Sequence, residues 1–466
     1  MLNTKSLKLV FICLTLLLLV QIPSVAADNS PSASVSFQRF WLTISNNTEG
    51  ATTVVDPSGG IHVAFSAYTS SGGSAWPVYY TYCASNCSLA SQWSNPIVVG
   101  DCGAWGGDAR LALTSAGQPR LMWFNEPLLT EDGYYQYAEC NAGCTNAANW
   151  TKSGSLASMV VDSGSGRYFA LDPQDHPRYI YTDTGIDHTG TYYAYCDAGC
   201  TTISNWHEVQ ITPDYLLYDF SMAVNASGRV AIAYRSATSY PDTLGYFQCD
   251  SNCSQAGSWE SITLVDNLGS GNALSLRLNP QGQPRLAYYS GYLGSGNADN
   301  DLLVYTWCDS SCTQSDHWSG YQVGLPVSYG KEVDLTLDSQ ARPQLAYYVD
   351  DVTNSVNGLG YATCSANCQS ISATWQAQMV ESSDDLDASD PIPPIAPCTY
   401  SFWLEVGQDP SLALDAGDNP RIGYTARHYQ GGPACTVYED IRLTRFALTA
   451  NASANPIDVY LPLVTR

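Results

Sequence analysis

The chain has 466 residues, with 43 acidic against 19 basic side chains and a formal charge of −24. Nucleic acid is excluded as a partner, because phosphate recognition needs clustered Lys and Arg, and after the first 26 residues Lys152 and Lys331 are the lysines that remain. The acidity suits solubility outside the cell and admits Ca2+ on acidic loops; no other cofactor is expected.

Residues 1–26 carry Lys5 and Lys8, an apolar run from Leu9 to Val20, and a Ser24-Val25-Ala26 ending. This pattern predicts a signal peptide cleaved near Ala26, and its apolar run falls short of the roughly 20 residues that span a bilayer. With no later run approaching that length, a secreted or cell-surface protein is expected, and a monomer. Residues 38–449 form the repeat region, and residues 450–466, ending Val459-Tyr460-Leu461-Pro462-Leu463-Val464, form a tail.

Internal repeats decide the architecture. A C-x-x-x-C pair occurs six times: Cys83 with Cys87, Cys140 with Cys144, Cys196 with Cys200, Cys249 with Cys253, Cys308 with Cys312 and Cys364 with Cys368. A tryptophan follows the second cysteine by six residues at Trp93, Trp150, Trp206, Trp259 and Trp318, and by seven at Trp375. A tyrosine precedes each first cysteine by three: Tyr80, Tyr137, Tyr193, Tyr246, Tyr305 and Tyr361. Seven times an apolar strand leads into a four-residue turn starting at Asp56, Thr114, Asp172, Asn225, Asn279, Asp338 or Asp415 and then into a second apolar strand. Asp or Asn at the first turn position, with Gly commonly at the fourth, is hairpin chemistry.

Each repeat of about 53 to 59 residues therefore reads as strand A, a tight turn, strand B, a variable loop, strand C ending at the first cysteine, a short reversal, and strand D starting near the tryptophan. The predicted fold is an all-β, seven-bladed propeller of four-stranded antiparallel blades. The seventh copy lacks a strand D, whereas Phe40 to Ile44 stands where a strand D should precede the first blade. The N-terminal strand is thus expected to complete the last blade beside Arg442 to Phe446, removing exposed edges.

Four residues of extended chain span about 13 Å, twice what a disulfide tolerates, so the chain must reverse within each C-x-x-x-C. Local disulfides are expected in all six; zinc would need two pairs brought together. Cys398 and Cys435, in loops on one face, are expected to bond each other, which leaves Cys102 over. The recurrent Pro-Arg steps at Arg120, Arg178, Arg285 and Arg421 read as structural, as do the repeated aromatics, which read as interblade packing.

Strand polarity places the A-to-B turns and cysteine reversals on one face and the B-to-C and D-to-A loops on the other. The second set varies, and function tends to sit on variable loops held by a rigid scaffold. The candidate ligand-binding residues are Asp108, Asp219, Glu332 and Asp409 near the start of strand A, and Glu126, Asp183, Arg235, Asp350, Asp351, Arg427 and His428 beyond strand B.

The repeat resembles the sialidase-like (BNR-type) propeller superfamily, whose blades carry a Ser-x-Asp-x-Gly-x-x-Trp turn between strands C and D. Here that place reads Cys196-Asp197-Ala198-Gly199-Cys200 with Trp206 following, so a disulfide replaces the family's bracing turn. For a sialidase the resemblance implies three arginines on a carboxylate, a Tyr with a Glu partner and an Asp acid. Arg235 and Arg427 with Arg110 or Arg167 are the arginines available for such a clamp, while the Arg-Ile-Pro signature is absent. Two readings follow: a binding module for an extracellular glycan or protein through the variable-loop face, and a glycoside hydrolase of sialidase-like type, which needs a suitably spaced carboxyl pair.

Overall fold

The computed structural model describes residues 24–26, 35–42, 48–68, 76–103, 109–126, 133–159, 166–185, 188–214, 217–236, 242–265, 273–290, 302–324, 332–351, 356–387, 401–431 and 439–449. Seven antiparallel sheets succeed one another around a ring. Blade one, for example, orders Thr48–Val55, Ile61–Ala67, Pro77–Cys83 and Ile97–Asp101 as strands A to D. In the seventh sheet Ser401–Leu414, Pro420–Gly431 and Glu439–Thr449 are followed by Phe37–Trp41 from the other end of the chain. The register runs Phe37↔Thr449 to Trp41↔Arg445, and Leu42 N donates to Thr444 O at 2.9 Å. The closing strand begins three residues earlier than the sequence suggests but uses the expected partners. Ser24–Ala26 lies parallel to the outer strand of blade five, and cleavage after Ala26 would remove it.

The first residue of each A-to-B turn acts through its side chain. Asp56 Oδ1 accepts from the N–H groups of Ser58 and Gly60, both at 2.8 Å, and Asp172, Asn225, Asn279, Asp338 and Asp415 do the same in their blades. The fourth residue is left-handed in every turn, including Asp175, Ala341 and Asp418 where no glycine is present. Asp175 and Asp418 gain something there: each carboxylate reaches back to the previous blade's turn, at Ser115 and Ser339. Ala341, at φ 59°, has no such contact to make. Ala341→Gly is therefore expected to stabilise the protein by about 1 kcal/mol, the cost of a Cβ in this region; thermal unfolding of the two proteins measures it, and an unchanged or lower midpoint would refute it.

All six C-x-x-x-C pairs are local disulfides, as the spacing predicts. Cys83 bonds Cys87, Cys140 bonds Cys144, Cys196 bonds Cys200, Cys249 bonds Cys253, Cys308 bonds Cys312 and Cys364 bonds Cys368, with Cα separations of 5.6 to 5.8 Å. The reversal depends on the residue before the second cysteine, which is left-handed in every case: Asn86, Gly143, Gly199, Asn252, Ser311 and Asn367. That explains why Asn or Gly occupies five of the six positions, Ser311 being the sixth. The tryptophan then locks the turn. In five blades its indole N–H donates to the carbonyl of the second cysteine (Cys87, Cys144, Cys200, Cys253 and Cys312) at 2.7 to 3.0 Å. Trp375, displaced by one residue, donates instead to Tyr321 Oη, which in turn donates to Cys368 O. Cys398 and Cys435 lie outside the described residues, and Cys102 is fully buried between blades one and two.

The aromatics pack blade against blade. The tyrosine of one repeat meets the tryptophan of the next at 5.0 to 6.0 Å: Tyr80 with Trp150, Tyr137 with Trp206, Tyr193 with Trp259, Tyr246 with Trp318 and Tyr305 with Trp375. At the closure Tyr361 meets Phe37 of the N-terminal strand, and Phe446 meets Trp93. Nearer the axis a second ring joins the inner strands. Ser221, Ser275, Asp334 and Ser411, at matching positions of blades four to seven, accept from the backbone N–H of Leu276, Leu335, Leu412 and Thr53 in the following blade.

Candidate functional site

The two faces of the ring differ in how their polar groups are used. On the cysteine-turn face, Arg120, Arg178 and Arg285 each donate from Nη1 to the carbonyl of their repeat's first cysteine, at 2.8 to 3.1 Å. Arg421 has no such cysteine and donates to Thr449 Oγ1 instead. These guanidiniums are 3 to 15 % exposed and consumed by structure. Among the described residues, Asp172, His176 and Asp197 form the one cluster compact enough to share a cation. Arg178 Nη2 already bonds Asp172 at 2.5 Å and Asp197 at 2.6 Å, so Ca2+ there would have to displace a guanidinium.

On the variable-loop face three unlike constellations stand on blades three, four and six to seven. In blade four, Arg235 near the end of strand B donates to Asp242 at 2.6 to 2.7 Å and to Asp219 at 3.3 Å, and lies 4.6 Å over the Tyr218 ring. Tyr218 also donates to Asp242, at 2.7 Å, and burial together with that bond pushes its phenol up to about 12. Asp219 sits in a bulge of strand A with φ 53° and is buried. A non-glycine residue in that region costs energy that the surrounding contacts must meet, a pattern frequent at ligand sites.

In blade three, Asp183 closes strand B and is buried. Its Oδ2 faces His188 Nδ1 at 3.0 Å, and His188 Nε2 faces Glu208 Oε1 at 3.0 Å. Glu208 also accepts from Tyr181 Oη at 2.6 Å, while the His188 ring stacks on Tyr192 at 4.0 Å. One imidazole is thus held between two carboxylates at a half-open surface. Between blades six and seven, Asp409, left-handed like Asp219, directs its N–H at the Glu332 carboxylate, and Arg427 bonds Glu405 at 3.1 Å. Tyr348 lies beneath this group, its phenol pushed up by burial first and then by Asp350, Glu405 and Glu332, with Arg427 opposing.

Of the residues expected from sequence, Asp219 joins Arg235, Asp409 meets Glu332, and Glu332, Asp350 and Arg427 act electrostatically on the Tyr348 phenol; Asp183 belongs to a third group. Glu126 stands near Cys102, its N–H donating to Cys102 O at 2.9 Å. Asp108 and the side chains of Asp351 and His428 lie outside the described residues. The three-arginine clamp of Arg235 and Arg427 with Arg110 or Arg167 is not formed. Arg235 and Arg427 are held by carboxylates on separate blades, whereas Arg110 and Arg167 line the channel together with Arg277. Sequence reasoning missed His188, Glu208, Tyr218, Asp242, Tyr348 and Glu405. His188 and Asp242 lie in variable B-to-C loops and were within its reach; Glu208 sits in a strand D whose neighbours read as purely structural.

No family model matches the sequence, and no curated protein matches it. Solved structures of similar fold include a polysaccharide lyase, the PL25 ulvan lyase bound to -[GlcA(1-4)Rha3S]-, at TM-score 0.52 and 9% identity over 87% of this chain and 95% of that one. The phage phi92 endosialidase aligns at TM-score 0.47 and 9% identity, over 91% and 71%. The NanB sialidase from Streptococcus pneumoniae aligns at 0.42 and 11%, over 88% and 70%. The likeness is one of fold: the chain is a seven-bladed propeller whose structural neighbours are sialidase-like and polysaccharide-lyase propellers. Among the described residues no helix is long and apolar enough to cross a membrane, and six disulfides suit an oxidising compartment.

Proposed function

We propose that this is a secreted propeller that binds an extracellular glycan through its variable-loop face. The observation that carries the reading is the asymmetry between faces. Turn-face arginines repeat one internal contact, whereas the loop face presents Arg235, His188 and Arg427 in three unrelated settings, each with carboxylates and a tyrosine close by. Tyrosine with charge-paired polar groups suits a ligand that offers both C–H faces and hydroxyls. Glycan is preferred to protein on that chemistry and because the similarly folded lyase is bound to a saccharide.

A second reading, cleavage of a glycoside, is favoured by His188, which stands between the two carboxylates of Asp183 and Glu208. Two carboxyls flanking a bond are what glycoside hydrolysis requires. The secreted protein on a glycan array, together with a panel of chromogenic glycosides, separates the readings. Saturable binding without turnover is expected. Turnover abolished by Glu208→Gln would make the protein an enzyme, and a blank array alongside a blank panel would remove glycan as the ligand class.

A further inference from the structure

The gap between blades five and six opens into a cleft of about 680 Å3 on the cysteine-turn face. Its blade-five wall carries Gln281, Arg285 and Asp309, and its blade-six wall carries Gln340, Asn367 and Gln369. Two other boundaries show how such a gap is closed. Between blades two and three, and again between six and seven, an aspartate at the fourth turn position (Asp175, Asp418) accepts from the N–H and the hydroxyl of a serine at the second position of the preceding turn (Ser115, Ser339), at 2.6 to 2.8 Å. Blade six has Ala341 in the place of that aspartate, and blade five has Pro280 in the place of that serine. Alanine has no carboxylate and proline neither N–H nor hydroxyl, so the clasp cannot form here.

A buried hydroxyl stands at the floor of the cleft. Tyr305 lines it and is 0 % exposed, and its Oη has no hydrogen-bond partner among the described residues. The matching tyrosines of four other blades are satisfied: Tyr80 Oη faces His62 Nδ1 at 2.7 Å, Tyr137 donates to Glu139 at 3.2 Å, Tyr246 to Gln248 at 3.0 Å, and Tyr361 to Gln344. In blades two and four the partner stands two residues further on; in blade five that place is Trp307, which offers no acceptor. A buried hydroxyl left unmet is costly, so this one calls for a partner from outside the fold. Burial, opposed by Arg285 and aided by Tyr321 and Asp309, holds the phenol above its usual range, so it stays a neutral O–H.

The walls suit a partner that is neutral and rich in hydroxyls. Arg285 is paired with Asp309 at 2.9 Å and Arg342 with Asp338 at 2.7 Å, so neither guanidinium lacks a counter-charge. Gln281, Gln340 and Asn367 are exposed with no side-chain hydrogen bond among the described residues, and Gln369 uses only its Nε2, on Asp309 at 3.2 Å. A carboxamide offers a donor and an acceptor in one plane, which matches adjacent hydroxyls that both donate and accept. A peptide would need a free strand edge or an apolar side-chain pocket. Strand C of blade five (Leu302–Cys308) is paired on both sides, and apart from Tyr305 the cleft offers only Ala341, Ala366 and Cys368 as apolar wall. We propose that this interblade cleft binds a neutral sugar unit, the four carboxamides holding its hydroxyls and Tyr305 Oη supplying the buried hydrogen bond. The cleft lies on the face opposite the variable loops and does not rest on the loop-face reading.

Ligand-observed NMR titration of the full secreted chain tests this, with methyl glucoside, methyl galactoside and methyl N-acetylglucosaminide as sugar probes and N-acetyl-triglycine amide as a peptide probe. Saturable binding of at least one sugar is expected. Tyr305→Phe should weaken it about threefold to tenfold, the range of one neutral hydrogen bond, without lowering the melting temperature, because the hydroxyl has no partner to lose in the free protein. Tyr246→Phe, which deprives Gln248 of its donor, should lower the melting temperature and leave sugar binding unchanged. Pro280→Ser with Ala341→Asp should install the clasp of the other boundaries and abolish binding, whereas Gln174→Ala, at the matching turn position of blade three, should have no effect. No saturable binding of any sugar, or binding of the peptide with no sugar, overturns the proposal. Sugar binding that both Tyr305→Phe and the clasp variant leave at wild-type strength also overturns it, and its loss in Arg235→Lys would then place that sugar on the loop face.

Discussion

Glu381→Ala should destabilise the ring by about 3 to 5 kcal/mol, the usual consequence of removing one partner of a buried ion pair. Glu381 is 1 % exposed on strand D of blade six (Thr374–Ser382). Its carboxylate accepts from both Nε and Nη2 of Arg445, on strand C of blade seven, and from Tyr424 Oη at 2.6 Å. Arg445 is 3 % exposed and lies 4.1 Å over Trp41 of the closing strand, whose Arg39 donates to Val380 O and Asp385 beside the same carboxylate. One buried group therefore ties blade six, blade seven and the N-terminal strand together. Alanine at 381 leaves a buried guanidinium without its counter-charge, the larger part of the expected loss. Replacing both partners, Glu381→Met with Arg445→Met, should restore most of the stability, because an apolar pair of similar volume incurs no such desolvation. Urea unfolding with disulfides intact measures all three proteins. An alanine variant within 1 kcal/mol of wild type, or a double variant no better than the single, would show that closure rests on the strand register and aromatics alone.

The ring was legible because its determinants repeat. A cysteine pair, a tyrosine three residues before it and a tryptophan six after it recur in register. Each proves to have one repeated role: the cysteines bridge, the tyrosine makes the interblade contact, and the tryptophan locks onto the second cysteine's carbonyl. Even the displaced Trp375 was visible in the spacing, though the relay through Tyr321 was not, since Tyr321 belongs to the neighbouring blade. The candidate site was legible only by face. Asp219 and Arg235 lie within one blade and were both named, but Glu208 reaches His188 from strand D, and Glu405 reaches Arg427 across a long hairpin. Arg167 and Asp334 are 167 residues apart and meet because a two-residue strand crosses to another blade's inner edge. A repeat fixes where each blade stands; it carries no information about which unique side chains from distant blades converge on the axis.

That division between repeated and unique residues leads to a paired expectation for the two faces. Arg235→Lys should weaken binding of whichever glycan the array selects by about tenfold, because lysine keeps the charge but loses the fork that spans Asp219 and Asp242 and the plane that covers Tyr218. Lysine is the cleaner choice than alanine here, since alanine would strip Asp219 and Asp242 of a shared cation and confound binding with folding. Arg427→Ala, which removes a guanidinium 22 % exposed, should weaken binding with a melting temperature close to wild type. Arg285→Ala should behave in the opposite way. Arg285 is 3 % exposed and donates to Pro284 O, Cys308 O, Gln283 Oε1 and Asp309 Oδ1. Its loss leaves buried carbonyls unmet and should lower stability by about 3 kcal/mol while the surviving folded protein binds normally. Affinity and melting temperature measured on the same preparations give the comparison. If Arg285→Ala abolishes binding at a temperature where it is folded, while Arg235→Lys and Arg427→Ala bind like wild type, the ligand sits on the cysteine-turn face, and the constellations around His188, Arg235 and Tyr348 only hold loops in place.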